Sequence, residues 1–130
     1  MKGIDMAWVY FNPNPAGKYV EDCTVRSLCA IENIAWIDAY RLLCLTGEIV
    51  YDMPKSNEVF RALLRKLGYL RHSIPNTCPD CYTVADFCID HPVGKFILGT
   101  GTHVIAVIDG DYYDSSNSGN EVPLYFYKEN

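Results

Sequence analysis

An α+β fold is what this sequence predicts, with helices in the N-terminal half and an antiparallel meander of strands in the C-terminal half. Three observations carry it. Four segments between residues 23 and 92 repeat apolar residues at helical spacing and carry helix start or stop residues. From residue 94 onward the chain turns to β-branched and aromatic runs. Asp109-Gly110 separates two of those runs, and a type I′ hairpin turn needs that pair because both positions take positive φ. Helices and strands segregated along the chain are the signature of α+β architecture rather than of alternating βαβ units.

In order, "AWVYF" (7–11) reads as a short strand, and "NPNP" (12–15) excludes a helix, because each proline pushes the preceding residue into extended geometry. Asp22 is placed to cap a first helix, "CTVRSLCAI", whose Val25, Leu28 and Cys29 share a face. "NIAWIDAYRLLCLTG" predicts a second helix, with Ile34, Ile37, Leu42 and Leu45 as its apolar side and Gly47 as its stop. "SNEVFRALLRKLGY" predicts a third, capped by Ser56 or Asn57, striped by Val59, Phe60, Leu63, Leu64 and Leu67, and ended by Gly68. "TVADFCIDHP" predicts a short fourth, with a Thr83-x-x-Asp86 capping box and Pro92 as its stop. "GKFILG", "THVIAVIDGDYYD" and "EVPLYFY" are the strands, and "SSNSGN" (115–120) is a second turn.

The 130 residues fit a single domain, 1–130, with a modest core. Apolar residues make up 49% and charged residues 21%, an ordinary globular composition. The net charge of −5, with Lys and Arg scattered, argues against nucleic acid or an anionic membrane as partner, since both require a concentrated positive face. No apolar run approaches the roughly 18 residues of a membrane span. The start, "MKGIDMAWVYFNPNP", lacks the features of a secretory leader, having Asp5 early and no small-residue cleavage site. The expectation is therefore a cytoplasmic protein. There the six cysteines (23, 29, 44, 78, 81 and 88) serve as core fillers, ligands or nucleophiles rather than as a disulfide framework.

Among them Cys23 stands apart. A thiol is nucleophilic as thiolate, which a helix N-terminus and a neighbouring histidine both favour. Cys23 opens the first helix, so it needs only a histidine from elsewhere. Of His72, His91 and His103, the last is the best placed: it follows "GTGT" and begins "HVIAVI", where its ring can emerge at the mouth of the sheet. With Asp109 and Gly110 as the turn residues, Ile108 faces Asp111, Asp114 pairs with Ile105, and His103 falls opposite Ser116. A diagonal contact from Asp114 to the imidazole follows. Cys23, His103 and Asp114 then form nucleophile, base and orienting carboxylate. Glu21 and Asp22 would oppose a thiolate, and Arg26, four residues after Asp22, is placed to neutralise one of them. Cys29 and Cys44, on apolar faces, read as core.

This order resembles the papain-like cysteine peptidase superfamily, in which the cysteine opens an early helix and the histidine and an Asn or Asp sit on adjacent strands. "NPNPAGKYVEDCTVRSLC" with "GTHVIAVIDGDYYDSSNSGNEVPLYFY" is similar, over nearly the whole chain, to small papain-like proteins of bacteriophages and gut Firmicutes. The resemblance implies a minimal papain-like fold and a cysteine peptidase or amidase acting by acyl transfer. It also implies no cofactor, a peptide or protein substrate, and a bacterial or phage-infected cytoplasm. One position departs from the pattern. The family usually carries an oxyanion-donating Gln five or six residues before the cysteine, where this chain has Lys18 and Gly17. Asn14 and Asn12 are the candidates to replace it, with the Cys23 backbone N–H as the second donor.

Two other readings remain open. One is a catalytically inactive papain-like binding module. The other is an interaction domain clipped by zinc, since Cys78-x2-Cys81 followed by Cys88-x2-His91 supplies the ligand types of a structural zinc site. A Cys78/Cys81 redox pair is weaker, because no thioredoxin-like βαβ pattern surrounds it.

Overall fold

The computed structural model describes residues 7–129. Asp5 and the other residues 1–6, on which the reading of the N-terminus partly rests, lie outside the described residues. The class is α+β. In chain order the elements are β1 (Trp8–Tyr10), α1 (Cys23–Glu32), α2 (Trp36–Val50), α3 (Asn57–Lys66), β2 (Tyr69–Ser73), α4 (Val84–Asp90), β3 (Lys95–Gly99), β4 (Val104–Ile108), β5 (Asp111–Asp114) and β6 (Tyr125–Glu129). Among the described residues, no helix is long and apolar enough to cross a membrane.

The strands form one six-stranded sheet in the order β1-β5-β4-β3-β6-β2. The expected meander is present as β3-β4-β5, and the register of its second hairpin is the expected one, with Ile108 opposite Asp111 and Ala106 opposite Tyr113. Asp109 and Gly110 take φ of 49° and 81°, as a type I′ turn demands. β6 does not continue the meander beside β5. It crosses to pair antiparallel with β3, and β1 takes the place next to β5 in parallel. β2, absent from the sequence expectation, pairs antiparallel with β6 at the far edge. Only Tyr69 of its five residues is buried, so an edge position leaves it without the alternation that marks a half-buried strand.

Period-two alternation along the central strands sends side chains into two cores. Ile97, Val104, Ala106 and Tyr127 meet Val25, Leu28, Ile31, Leu43, Phe60 and Leu64 of the first three helices. Phe96, Leu98, Ile105, Val107 and Tyr112 meet Val84, Phe87 and Cys88 of α4 on the other face. Each such buried side chain contributes about 1.5–3 kcal/mol.

Local signals account for most helix ends. Ser56 Oγ accepts from the Val59 N–H, and Thr83 and Asp86 form the expected reciprocal capping box. α2 differs. Asn33 sits in the left-handed region as the cap of α1, so α2 starts later than expected and runs through Gly47 to Val50. Its buried side is Ala39, Leu43 and Gly47, whereas Ile37 and Leu45 are exposed. Gly47 is needed for closeness rather than as a stop: a Cβ there would lie 2.6 Å from the Asp52 carbonyl oxygen.

Candidate active site

α1 points its N-terminus at the β3–β4 hairpin loop. That loop is a tight turn in which the Thr100 N–H and hydroxyl both donate to the His103 carbonyl (2.9 and 3.3 Å), with Gly101 at φ 103°. His103 therefore lies one residue outside β4, held by the turn and not by the sheet ladder. Its Nε2 is 2.7 Å from Asp114 Oδ2, which leaves Nδ1 for the Cys23 thiol, within hydrogen-bonding reach of the ring. The Val104 backbone N–H, at the first residue of β4, lies near enough to the Cys23 sulfur to favour the thiolate. The structure thus brings Cys23, His103 and Asp114 together in one row.

The electrostatics follow from these contacts. Burial pushes the Cys23 thiol up, but the His103 hydrogen bond, the Val104 N–H and the charges of His103 and Arg26 outweigh it, so its pKa falls below the ordinary thiol value. His103 is raised to about 10, first by its hydrogen bond to Asp114 and then by Cys23, against the opposing effect of burial. Both shifts favour the thiolate–imidazolium form of the pair. Cys29, six residues further along α1, shows the contrast: burial and the nearby Asp22 charge push it up to about 11.

Asp114 is fully buried, and its carboxylate accepts four hydrogen bonds. His103 Nε2 and Ser118 Oγ donate to Oδ2, each at 2.7 Å, while the Ser115 N–H (2.7 Å) and Arg26 Nη2 (3.0 Å) donate to Oδ1. Burial alone would raise its pKa; His103 and Ser118, with the charge of Arg26, hold it below the ordinary carboxylate value. Its carbonyl accepts from the Phe11 N–H (2.9 Å) and Trp8 Nε1 (3.1 Å), so β1 clamps the same residue from outside.

Arg26 reaches further than the sequence suggests. It pairs with Asp22 one helical turn back, as expected, and also with Asp114, 88 residues away. Asp22, Arg26 and Asp114 are 4%, 6% and 0% exposed. Asp22 occupies the N-cap position of α1, but its side chain caps nothing; it is spent on Arg26 and on Trp36 Nε1 (2.9 Å). The neighbouring Glu21 faces solvent and pairs with the equally exposed Lys55 at 3.1 Å, a contact that contributes little.

A pocket of about 420 Å³ opens over the thiol, lined by Cys23, Thr24, Lys55, Asn57, His103 and Tyr125 among others. Asn12 and Asn14 do not line it. Asn14 Oδ1 accepts from the Ala16 and Lys18 N–H groups, and Asn12 Nδ2 donates to the Lys18 carbonyl, so both side chains build the 12–18 loop. The oxyanion expectation placed on these two asparagines is corrected accordingly. Side-chain donors on the pocket wall include Thr24, Lys55, Asn57, Thr102, Ser115 and Tyr125, and no spacing rule in the sequence links Lys55 or Asn57 to Cys23.

Tyr125 walls the pocket because β3 is stripped of a side chain at Gly99: a Cβ there would stand 2.0 Å from the Tyr125 ring. Gly99→Ala is expected to cost about 1–3 kcal/mol by overpacking and to swing Tyr125 out of the wall. A urea melt and the Tyr125 ring resonances check it. An unchanged melt with unmoved resonances would mean that Gly99 has no such part.

The zinc alternative is corrected too. Cys78 and Cys81 form a disulfide, so neither thiol is free as a ligand, and the pairing is the one that the weaker redox-pair reading named. Cys88 is on the core-facing side of α4. The His91 ring stacks on Phe87 at 3.8 Å, with Nδ1 2.8 Å from the Phe87 carbonyl. α4 begins only at Val84, so Cys81 is outside the helix and the helical spacing that linked it to Cys88 and His91 does not apply. Among the described residues, no group of three or more His, Cys, Asp or Glu is arranged to hold a metal ion. His72, the third histidine, stacks on Phe126 at the sheet edge. Cys44 is half-buried rather than core.

Comparisons with protein-family models, with curated proteins and with solved structures find no match.

Proposed function

We propose that this chain is a papain-like cysteine hydrolase that cleaves an amide or thioester by acyl transfer through Cys23. The observation that carries the reading is the position of His103, between the Cys23 thiol on one side and the buried Asp114 carboxylate on the other. The Cys23 thiolate attacks the carbonyl carbon, and the carbonyl oxygen takes the charge near the Cys23 N–H at the start of α1. As the tetrahedral adduct collapses, the bond to the leaving group breaks and the His103 imidazolium gives it the Nδ1 proton. Water then attacks the thioester, His103 takes its proton, and a carboxylic acid leaves as the thiolate is restored. Asp114 keeps the imidazole oriented throughout. The open pocket suits a flexible peptide better than a folded protein. We place its action in the cytoplasm of a bacterial or phage-infected cell, where Cys23, Cys29, Cys44 and Cys88 stay as thiols and the Cys78–Cys81 disulfide is the exception.

The inactive binding module is the second reading, favoured by one observation: neither Asn12 nor Asn14 supplies an oxyanion donor. Incubating wild type and Cys23→Ala with a peptide library, followed by mass spectrometry of products and of the protein, separates the two. Cleavage lost by at least about 10³-fold in the variant, with a hydroxylamine-labile acyl adduct on Cys23, is expected for the hydrolase. Intact peptides and an unmodified Cys23 would leave only the binding module.

A further inference from the structure

The reactive pocket opens into a second recess of about 360 Å³ between α3 and the β2–β6 edge. The two share Asn57, Gly101 and Tyr125, so one aromatic ring walls both. Arg61 and Arg71 line the recess against a single carboxylate, Glu58. The Arg71 guanidinium lies 4.1 Å from the Tyr125 ring centroid, stacked so that its position is defined while its N–H edge stays available. Among the described residues, neither arginine forms an ion pair. That contrasts with Arg26, spent on two buried carboxylates, and Lys55, spent on Glu21. In a chain of net charge −5, two uncommitted guanidinium groups facing one recess form a local reversal of field, and concave walls concentrate it. The charges reach the same spot: Arg71 acts on both the Tyr125 and Tyr127 hydroxyls, Arg61 on Tyr127, and the Cys23 charge on Tyr125.

We infer that this recess is a specificity subsite for an acidic group, the Asp or Glu side chain or terminal carboxylate of a peptide, seated on Arg61 and Arg71 beside Tyr125. For the statement that the acid lies next to the attacked carbonyl, the inference rests on Cys23 as the nucleophile; for binding itself it does not. A carboxylate there accepts from Arg71, which its stack on Tyr125 holds in place, and from Arg61 on α3. A lysine-bearing peptide meets like charge.

The test uses the whole chain with Cys23→Ser, so that binding is read without turnover. End-blocked glycine hexapeptides carrying one Glu, or Gln or Lys at the same position, are titrated by NMR. The Glu peptide should bind about 3- to 10-fold tighter than its Gln counterpart. The preference should shrink at 0.5 M salt, vanish in Arg61→Gln/Arg71→Gln, and turn toward Lys in Arg71→Glu, with shifts at Tyr125 and Gly101. Equal affinities for Glu and Gln, or a Glu preference that survives the double arginine variant, would overturn the inference. Labelling of wild-type Cys23 by iodoacetamide, a small neutral probe that needs no subsite, reports on the nucleophile alone. A sluggish Cys23 beside an intact Glu preference therefore removes the hydrolase reading and leaves the subsite.

Discussion

Replacing Arg26 with Met is expected to destabilise the protein by about 3–5 kcal/mol, because it strips the cation from two buried carboxylates at once. Asp22 would retain the Trp36 indole, and Asp114 its bonds from His103, Ser118 and the Ser115 N–H. Each would nevertheless face the low-dielectric interior short of one charge partner. The pH dependence has a definite sign. Asp114 has a lowered pKa in the folded protein. Its contribution is present above the unfolded carboxylate value of about 3.9 and is lost as pH falls through the folded value. In Arg26→Met Asp114 loses a charge that lowers its pKa, so the deficit is greatest near neutrality and narrows on acidification. Adding Asp22→Asn should recover part of the loss, since the penalty comes from the stranded charge rather than from missing packing. Urea unfolding at two pH values measures this. A loss below about 1 kcal/mol, equal at both, would show that the network carries no such weight.

His103→Ala should slow alkylation of Cys23 by iodoacetamide about 10- to 100-fold at pH 6 while leaving the fold intact. In the wild type the thiol is held below its ordinary pKa and His103 is raised to about 10. The thiolate–imidazolium pair therefore spans the interval between them, and alkylation should hold its plateau to lower pH than for an ordinary thiol. The variant keeps the burial that opposes the thiolate and loses its largest stabiliser, so the thiolate becomes a minor species at pH 6. The higher intrinsic nucleophilicity of a more basic thiolate offsets part of the drop, which is why the factor is not larger. Cys29, raised to about 11 and buried, should stay unreactive throughout, and Glu21→Gln should leave the rate unchanged or slightly higher, because Glu21 faces solvent. Peptide hydrolysis should follow a bell, its acid limb set by Cys23 and its alkaline limb near pH 10 by loss of the imidazolium proton. Should Cys23 titrate as a free thiol whether or not His103 is present, α1 would be architecture only and the hydrolase reading would fail.

The two variants probe one row of contacts from its ends. His103 is held by a turn whose strands are packed, but its charge state depends on Asp114, and Asp114 is fixed by Arg26, Ser118 and β1. A site assembled this way keeps its fold when the histidine is lost, because Arg26, Ser118 and the Ser115 N–H still hold Asp114. It does not tolerate loss of the arginine beneath it.

What the sequence determined by itself was local. The Thr83–Asp86 box, the Ser56 cap, the Asp109-Gly110 turn and the stripe of α3 are set by residues within four positions of one another, where backbone geometry leaves few alternatives. The same holds for the register of β4 against β5, which follows from the turn between them and put Asp114 within a diagonal of His103. Asp22–Arg26, at one helical turn, belongs in this group too. Tertiary structure decided everything that depends on which surfaces meet. β2 became a strand because β6 offered it an edge, although only Tyr69 of its residues is buried. α2 turned Ala39, Leu43 and Gly47 inward, where the bare Gly47 admits the Asp52 carbonyl, and left Ile37 and Leu45 in water. Asn12 and Asn14 closed their own loop instead of facing the thiol, since nearby backbone N–H groups compete successfully for short amide side chains. The second partner of Arg26, 88 residues along the chain, and the shared wall at Tyr125 arise only when α1, α3 and the sheet pack together. No periodicity records such contacts, because each residue involved satisfies its own element's pattern equally well without the other.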